Sequence, residues 1–580
     1  MKTITTNWVF GLLVTAALAA GALGVERPVD RAVQIILGNE GLASLKFGGA
    51  ELLKDGTFKL RDVQLSDLEG TTVPADLAGG KVQVDKAGGA VTRTYRWGTL
   101  RCVYTASGSK LKMDVTVTNR SDRVMTCALL QLLELKFPAA IKGFDEDVHK
   151  GNNVSGPTVV GIDYGSGVVV LVNEELAPPA YVGFARDLSK PKPRKTDSKQ
   201  DQSKIRFDPD ATYPVIAANA RHDAFYNKWM EDPEIHRPIY PGRTEEFHLS
   251  LRFGPAGAKV ADLGRDIYRK YARAYPPTLK WDDRRVIGAL HLSSSAMGIP
   301  KNPRGWFMDR SLDVTTDQGR AKLKARLMAY ADKSIQVLKG VDAQGMIVWD
   351  VEGQEFPHAT SYLGDPRSLP PEMDAVADEF FKKFIDAGLR AGITIRPHRP
   401  VRPAYAEGVQ QEQLAYPGWT LEQKIAYAKK RWGCTLFYVD SNCKFDPYGR
   451  YDDEGAYELM DVEVFKRAAA ANPDVLLMPE QEDARYYAYT APFNSFFHHR
   501  TTSTPKEVWR IYPGAFSAIY APEGPIDEYH DALLEAVKHG DILIINAWFD
   551  SAANEKVKKI YEEAKAARQA VKAPAPAGLP

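Results

Sequence analysis

The stretch that decides the fold is Thr435-Leu436-Phe437-Tyr438-Val439-Asp440-Ser441-Asn442. Five of its first six residues are apolar, β-branched or aromatic, which predicts a buried strand. Helical patterns flank it, from 421 to 432 and from 461 to 471, and this succession is typical of a parallel α/β sheet. Such sheets place their chemistry at the C-terminal ends of the strands, so Asp440 is a candidate functional residue. From this strand alone, an aspartate that caps the next turn is an equal alternative.

Two other apolar runs, 346–353 and 475–482, also end in acids and predict buried strands. Because side chains alternate between the two faces of a strand, the acids within each run share one face. Three such strands predict a common mouth lined by carboxylates. The acids are Asp350 and Glu352 in the first run and Glu480 and Glu482 in the second.

Strand and helix patterns alternate throughout residues 281–571. About eight βα units in this length predict a (β/α)8 TIM barrel. An open, doubly wound sheet is the alternative, but that fold usually has a Gly-rich turn after its first strand. Here the corresponding turn, at 293–298, is Ser-Ser-Ser-Ala-Met-Gly.

The segment before the barrel has a different pattern. Residues 25–256 hold short, mostly alternating runs separated by Gly, Asn and Asp clusters, which predict an antiparallel β-sandwich. We interpret 257–280 as a linker helix that stops at Pro276-Pro277. The Ala- and Pro-rich end, 572–580, is predicted to be a disordered tail. The fold class expected is therefore multidomain α/β, a sandwich followed by a barrel.

The N-terminal residues 1–24 are typical of a secretory signal peptide, with Lys2, an apolar stretch at 8–20 and a small-x-small site at 22–24. Charged residues follow at once, which favours cleavage over a retained anchor. We therefore expect a periplasmic or secreted protein that has no membrane contact after cleavage.

The composition excludes some partners. Lys+Arg 75 against Asp+Glu 74 gives no argument for binding nucleic acid or an anionic membrane. Four cysteines do not make a disulfide scaffold, although Cys102 and Cys127 could pair if their strands are neighbours. Nothing in the sequence indicates the oligomeric state.

Carboxylates at a barrel mouth are commonly used for metal binding or for paired acid/base and nucleophilic chemistry. The usual metal sites also need several well-placed histidines. Candidates lie near strand ends, but the adjacent pair His498-His499 would point apart on a strand. We therefore expect no metal and no cofactor, with a metal-dependent hydrolase as an alternative.

Glycoside hydrolysis needs two carboxyl groups that flank the scissile bond. Asp440 and Glu480 end successive strands, and acids so close fit the short separation of a retaining enzyme. Asp440 would be the nucleophile, helped to stay ionised by Arg396 and Asn442, and Glu480 the acid/base with a raised pKa. The alternative is that either acid is a structural ion-pair partner of Arg396, Arg399 or Lys444.

Further residues near strand ends are candidates for binding the hydroxyls of a carbohydrate substrate. Asp350 or Glu352 as the acid/base is a rival role, Glu482 could cap a helix, and Trp548 is as readily a core residue as a sugar platform. Trp349 is expected in the core, because alternation points it away from the acids. The candidate substrate-binding residues are Asp350, Glu352, Arg396, His398, Asn442, Glu482, Trp548 and His291.

The layout resembles the retaining α-glycosidases of the α-galactosidase and α-N-acetylgalactosaminidase superfamily. In those enzymes a nucleophilic Asp ends strand four, and residues 437–442 are similar. In several relatives, such as endo-α-N-acetylgalactosaminidases and α-amylase-like enzymes, a Glu ending strand five is the acid/base, which Met478-Pro479-Glu480 matches. The opening 41–49 resembles the start of a β-supersandwich domain. Residues 349–355 differ from the Asp-Asp-Gly-Trp pattern of α-galactosidases.

This resemblance implies a β-supersandwich followed by a catalytic barrel. It also implies α-specific hydrolysis of oligo- or polysaccharides with an Asp nucleophile. A non-catalytic carbohydrate-binding protein is the alternative from another class.

Overall fold

The structure is a computed structural model, and it describes most of the chain from residue 32 to residue 572. The predicted signal peptide, Trp548 and residues 573–580 of the predicted tail lie outside the described residues. The described ranges are 32–67, 72–78, 80–138, 142–146, 159–174, 176, 181–185, 215–223, 239–293, 299–353, 364–401, 410–413, 417–445, 456–495, 504–521, 526–547 and 551–572.

The N-terminal part forms two antiparallel sheets, as the alternating runs predicted. The strands are β1 (Gln34–Leu37), β2 (Gly41–Phe47), β3 (Ala50–Glu51), β4 (Leu53–Thr57), β5 (Lys59–Ser66), β6 (Thr72–Pro74), β7 (Lys81–Asp85), β8 (Ala90–Thr94), β9 (Gly98–Ser107), β10 (Lys110–Asn119), β11 (Val124–Lys136), β12 (Gly143–Glu146), β13 (Val159–Asp163), β14 (Gly167–Asn173), β15 (Tyr181–Ala185), β16 (Val215–Asp223) and β17 (Thr244–Pro255).

One sheet has the order β1-β2-β4-β11-β16-β15, with β3 beside β2, β5 beside β11 and β6 beside β5; the other has the order β12-β13-β14-β17-β10-β9-β8-β7. Apolar side chains from both sheets share one core, in which Phe47 of β2 stacks on Phe253 of β17 at 5.3 Å between ring centroids. This face-to-face packing is that of a β-sandwich. Cys102 is a buried free thiol on β9. β9 and β11 belong to different sheets and do not pair edge to edge.

The C-terminal part alternates strands and helices. The strands are β18 (Ile287–Leu290), β19 (Gly345–Val348), β20 (Gly392–Ile395), β21 (His398–Val401), β22 (Gln410–Gln413), β23 (Leu436–Val439), β24 (Cys443–Phe445), β25 (Ala456–Leu459), β26 (Leu476–Pro479), β27 (Phe493–Ser495), β28 (Ala518–Tyr520) and β29 (Ile542–Asn546). The helices, counted from the end of the sandwich, are α1 (Val260–Leu263), α2 (Arg265–Ala274), α3 (Asp317–Gly340), α4 (Pro371–Asp386), α5 (Pro417–Trp432), α6 (Val462–Ala471), α7 (Lys506–Ile511), α8 (His530–His539) and α9 (Ala552–Lys572).

Eight parallel strands form a nearly closed barrel in the order β26-β23-β20-β19-β18-β29-β28-β27. The first and last strands of the chain order, β18 and β29, pair directly. On the opposite side, the Ala491 amide donates to the Leu477 carbonyl at 2.9 Å and joins β26 to the residues before β27. The predicted fold class, a sandwich followed by a TIM barrel, is confirmed.

The expected linker helix is two helices, α1 and α2, that meet at Gly264. A Cβ atom at Gly264 would lie 3.1 Å from the Tyr268 ring and 3.2 Å from Val159, so any larger residue there would force these side chains to shift. Both helices contribute to an apolar cluster that continues from β13 and β14 into the helix layer of the barrel. The domain boundaries at 256 and 280 stay a prediction. Among the described residues, none of the helices is long and apolar enough to cross a membrane.

The two faces of the barrel strands separate cleanly. On β23, Leu436 and Tyr438 lie inside the barrel, whereas Phe437 and Val439 pack against the helices. On β26, Leu476 and Met478 lie inside. On β19 the inner residue is Ile347, and Val348 faces the helices. Side chains alternate between the two faces, and this alternation continues past the end of each strand. Asp440 and Glu480 are therefore on the inner face, with Tyr438 and Met478. Asp350 is on the outer face, with Val348.

Candidate active site

Asp440 and Glu480 lie side by side at the C-terminal ends of two neighbouring barrel strands. β23 and β26 pair in parallel with Val439 opposite Pro479. The ladder extends to the acids themselves, because the Glu480 amide donates to the Val439 carbonyl at 2.9 Å. The Asp440 amide likewise donates to the Ile395 carbonyl of β20 at 2.9 Å. Strand pairing therefore fixes both acid backbones at one edge of the barrel.

The two carboxyl groups are hydrogen-bonded to each other. Burial raises the pKa of Glu480, and the negative charge of Asp440 together with their shared hydrogen bond raises this pKa further. The Ser441 amide donates to Glu480 Oε2 at 2.8 Å and opposes this rise. Glu480 is therefore the member of the pair that holds the proton.

Arg396 is the cation on Asp440. It follows β20, the strand beside β23, and both its Nε and its Nη2 lie 2.6 Å from Asp440 Oδ2. A guanidinium is always charged and favours the ionised form of a carboxyl group that it contacts. Asp440 Oδ1 has a longer contact, 3.3 Å from the Ser441 hydroxyl. The surroundings thus give the two acids opposite protonation states, as expected for an acid and a nucleophile.

Ser441 and Asn442 connect the segments that carry the two acids. Ser441 adopts a left-handed conformation with φ 52°, which is strained for a residue other than glycine. Asn442 donates from Nδ2 to the Gln481 carbonyl at 3.0 Å and accepts from the Gln481 amide at Oδ1 at 2.7 Å. Asn442 is fully buried. We expected it to bind substrate, but it instead clamps the backbone next to Glu480.

An aromatic floor lies on the inner face beneath the acids. Tyr438 is two residues before Asp440, and Trp349 stacks on it with 4.3 Å between centroids. Phe493 lies 4.7 Å from Tyr438, and Tyr520 lies 5.9 Å from Trp349. Trp349 and Tyr520 are half-buried, whereas Tyr438 and Phe493 are buried. Alternation does separate Trp349 from Asp350, but Trp349 is the half-buried residue at the barrel mouth, because the inner face of β19 is that of Ile347 and not that of Val348.

The same assignment of faces relocates Asp350 and Glu352. Asp350 is fully buried and accepts from the Leu292 amide at 2.9 Å, the Ser293 amide at 2.8 Å and the Ser293 hydroxyl at 2.5 Å. Burial raises its pKa to about 6. Glu352 is also buried and accepts from the Asp365 amide at 3.3 Å. These contacts hold the segments after β18 and β19, so we no longer assign sugar binding or acid/base work to either acid.

The other predicted substrate-binding residues differ in how deeply their side chains are buried. His291 is half-buried beside Trp349 at 5.4 Å, and burial lowers its pKa to about 4, so its imidazole is neutral at the mouth. His398 is fully buried and burial lowers its pKa to about 3, which does not fit contact with a sugar. Glu482 is fully buried and accepts from the Tyr487 hydroxyl at 2.5 Å, so a substrate-binding role is not supported.

Two contributors were missed by sequence reasoning. Tyr520 ends β28 and its hydroxyl donates to Asn546 Oδ1 at 2.7 Å. Both residues are half-buried, so this pair adds polar atoms to the mouth of the barrel. Lys424 of α5 donates from Nζ to the Arg396 carbonyl at 2.7 Å and to the His398 carbonyl at 2.9 Å. A signal for Lys424 existed, since it interrupts the buried apolar stripe of Leu421, Ile425 and Ala428.

In the described part of the chain, no cluster of three or more His, Cys, Asp or Glu residues is arranged to hold a metal ion. Several segments that follow barrel strands, such as 354–363 and 496–503, lie outside that part. The absence of a metal therefore stays a prediction.

Comparisons with known proteins give structural similarity alone. No family model and no curated protein matches the sequence. Among solved structures, the α-N-acetylgalactosaminidase NagBb from Bifidobacterium bifidum, in its GalNAc complex, is 12% identical with a TM-score of 0.47, covering 92% of each chain. The galactosidase domain of the α-galactosidase-sucrose kinase AgaSK is 11% identical with a TM-score of 0.37, over 94% of this chain and 75% of that one. The GH36 α-galactosidase AgaA from Geobacillus stearothermophilus is 11% identical with a TM-score of 0.34, over 93% and 76%. At these identities and TM-scores we build no functional argument on the similarity.

Proposed function

We propose that this protein is a retaining glycoside hydrolase with Asp440 as nucleophile and Glu480 as acid/base. The observation that carries the proposal is a pair of adjacent carboxyl groups at the mouth of a parallel barrel, where such folds place their chemistry: Asp440 is bound by Arg396, and burial raises the pKa of Glu480. Retaining glycosidases need one ionised and one protonated carboxyl group, close together.

In the first step, Asp440 Oδ1 attacks the anomeric carbon while the proton of Glu480 moves to the departing glycosidic oxygen. The glycosidic bond breaks and a sugar ester of Asp440 forms. Oδ2 stays with Arg396, which stabilises the carboxylate before attack.

In the second step, ionised Glu480 takes a proton from water as the water oxygen attacks the anomeric carbon. The ester bond to Asp440 breaks, and Glu480 is again protonated. The Ser441 amide, 2.8 Å from Glu480 Oε2, stabilises the carboxylate that this step requires. The Ser441 amide thus stabilises the ionised form of Glu480, which acts as the base, whereas the charge of Asp440 favours the protonated form, which acts as the acid.

The contact between the two carboxyl groups bears on the class of mechanism. Retaining pairs work at about 5–5.5 Å and inverting pairs at about 6.5–9.5 Å. The hydrogen bond between the two carboxyl groups places this pair at the short end of that range. The short starting separation favours the retaining class.

The substrate belongs to the same proposal. The half-buried rings of Trp349 and Tyr520 offer flat apolar surfaces to the C–H face of a sugar, and His291 and Asn546 offer polar atoms beside them. The strand-four and strand-five motifs resemble those of α-specific enzymes, and the signal pattern supports action in the periplasm or outside the cell. We therefore propose α-glycosides of oligo- or polysaccharides as substrates.

A second candidate function is carbohydrate binding without catalysis. The observation that favours it is that both carboxyl groups already have partners in the protein, Arg396 on Asp440 and the Ser441 amide on Glu480. The two functions separate in one experiment, because a binding protein would retain sugar affinity and show no turnover in any variant.

The test uses a panel of nitrophenyl α- and β-glycosides and α-linked oligosaccharides. Asp440→Asn and Glu480→Gln are each expected to abolish turnover on the substrate found. Glu463→Gln, an exposed carboxyl on α6, is the matched control and should leave it unchanged. Azide, a nucleophile that needs no general base, should partly restore Glu480→Ala on a substrate with an activated leaving group. Near wild-type turnover in both acid variants would refute the proposal.

A further inference from the structure

Lys424 is a fully buried lysine behind the candidate active site. It lies on the inward face of α5 with Leu421, Ile425 and Ala428, at a position where an apolar residue is the rule. Its ammonium reaches two backbone carbonyls at the end of β20, those of Arg396 at 2.7 Å and His398 at 2.9 Å. A buried charge is costly unless it is hydrogen-bonded and compensated. Its location therefore calls for an explanation beyond packing.

The two carbonyls belong to the segment that presents Arg396 to Asp440. They flank Pro397, and one ammonium holds both, so the peptide units on either side of the proline cannot turn independently. The Arg396 side chain begins from this fixed backbone and places Nε and Nη2 at 2.6 Å from a single oxygen of Asp440. A rotation of this segment would break that convergence.

The charges around Lys424 come from three segments. Asp365 Oδ2 lies 4.0 Å from its Nζ, and Asp365 is itself paired with Arg367 in a two-bond contact. Glu352 is the other acid that acts on Lys424, while Arg367 and Arg396 oppose it. Burial lowers the pKa of Lys424 to about 8, and the two acids counter that effect. The ammonium is thus held on the carbonyls by nearby acids that are not part of the catalytic pair.

We infer that Lys424 is a positioning residue that holds the Arg396 guanidinium against Asp440. This rests on the proposed function for its kinetic consequences, but the contact between Arg396 and Asp440 can be tested without turnover. The rival explanation is that Lys424 only satisfies two carbonyls and stabilises the fold. The rival predicts lost stability with an unchanged acid pair.

The experiment compares Lys424→Met with Lys429→Met, a lysine on the next turn of α5 that is partly exposed and pairs with Asp474. Lys424→Gln, which keeps a donor but no charge, replaces Lys424→Met if that variant does not fold. The first readout is a ¹³C NMR pH titration of the Asp440 and Glu480 carboxyl carbons, assigned with Asp440→Asn and Glu480→Gln. The second is the pH profile of kcat and KM on a glycoside that the wild type cleaves.

We expect Lys424→Met to move the titration of the carboxyl pair and, with it, the acidic limb of the kcat profile. We also expect kcat to fall by up to about 100-fold with KM within threefold, because a displaced catalytic group costs rate more than binding. Lys429→Met should change neither readout. Arg396→Gln combined with Lys424→Met should lower kcat no further than Arg396→Gln alone.

The outcomes separate the inference on Lys424 from the proposed function. A titration that shifts in Lys424→Met supports the inference even if no glycoside is cleaved by any form, in which case the proposed function fails alone. A titration and pH profile unchanged in Lys424→Met overturn the inference, and cleavage by the wild type would then leave the proposed function standing. Additive losses in the double variant also overturn it.

Discussion

Replacing Asn442 by alanine removes the clamp between the two segments that carry the acids. Asn442 is fully buried, and its side-chain amide pairs with both the carbonyl and the amide of Gln481. Both Gln481 groups would lose a partner in an interior that water does not reach. Each buried polar group left unpaired costs about 1–3 kcal/mol. We therefore expect the free energy of unfolding to fall by about 3 kcal/mol.

The kinetic effect should be larger than this stability loss suggests. Without the clamp, the Glu480 segment is held to the Asp440 segment by the Ser441 amide and the strand ladder. A displacement of about 1 Å can cost on the order of 100-fold in rate. We expect kcat to fall by about 10- to 100-fold and KM to change little, because Asn442 contacts backbone and not substrate.

The matched control is Asn472→Ala. Asn472 is also a buried asparagine, and its Nδ2 donates to the Ala468 carbonyl at the end of α6, away from the acid pair. Urea denaturation should show a loss of about 1 kcal/mol for this variant, and its kcat should be that of the wild type. The reasoning is refuted if Asn442→Ala loses stability as expected while its kcat stays within twofold of the wild type.

Four further predictions concern the acid pair, the buried Asp350 and the aromatic floor. Asp440→Asn removes the negative charge that raises the pKa of Glu480, so ¹³C NMR should show a lower pKa for Glu480 than in the wild type. An equal or higher pKa would contradict the interaction between the two carboxyl groups. In the wild type the protonated form of Glu480 is lost as pH rises through this raised pKa, so kcat/KM should fall on the alkaline side, measured with a neutral substrate. The pKa of Asp350 is raised from 3.8 to about 6, so the folded state binds the proton of this group more tightly than the unfolded state does. Its contribution to the free energy of unfolding, about 3 kcal/mol, is therefore lost as pH rises from about 4 to 6. Asp350→Asn should flatten the unfolding free energy over that interval, as followed by urea titration at several pH values, and an unchanged slope would contradict the assignment. Trp349→Ala should weaken sugar binding about two- to tenfold, since ring contacts contribute about 0.5–1.5 kcal/mol, and unchanged affinity by calorimetry would remove Trp349 from the floor of the site.

The repetition of apolar runs and helical patterns predicted the sandwich and the barrel, because burial imposes a period on every strand and helix. The same runs located Asp440 and Glu480 at strand ends. Alternation along the strand also placed Val348 and Asp350 on one face and Trp349 on the other. It could not tell which of these faces lies inside the barrel, since both are apolar in a strand buried on two sides.

Contacts between distant residues lay beyond the sequence. Asn442 follows an acid at a strand end, a position equally suited to binding a sugar, and only its proximity to Gln481 reveals the clamp. Lys424 lies 28 residues from Arg396 along the chain, and a helix pattern alone gives no partner for a buried lysine. Trp349 meets Tyr438 and Tyr520 only when the barrel closes.

The central claim is that Asp440 forms a bond to the sugar during turnover. A 2-deoxy-2-fluoro glycoside of the sugar identified in the substrate panel, with a good leaving group, should slow the second step and trap the ester. Mass spectrometry of peptides from the inactivated protein should place the added sugar mass on Asp440, and Lys429→Met should label at the wild-type rate. Label on another residue, or rapid hydrolysis that gives the inverted anomer by ¹H NMR, would contradict the account.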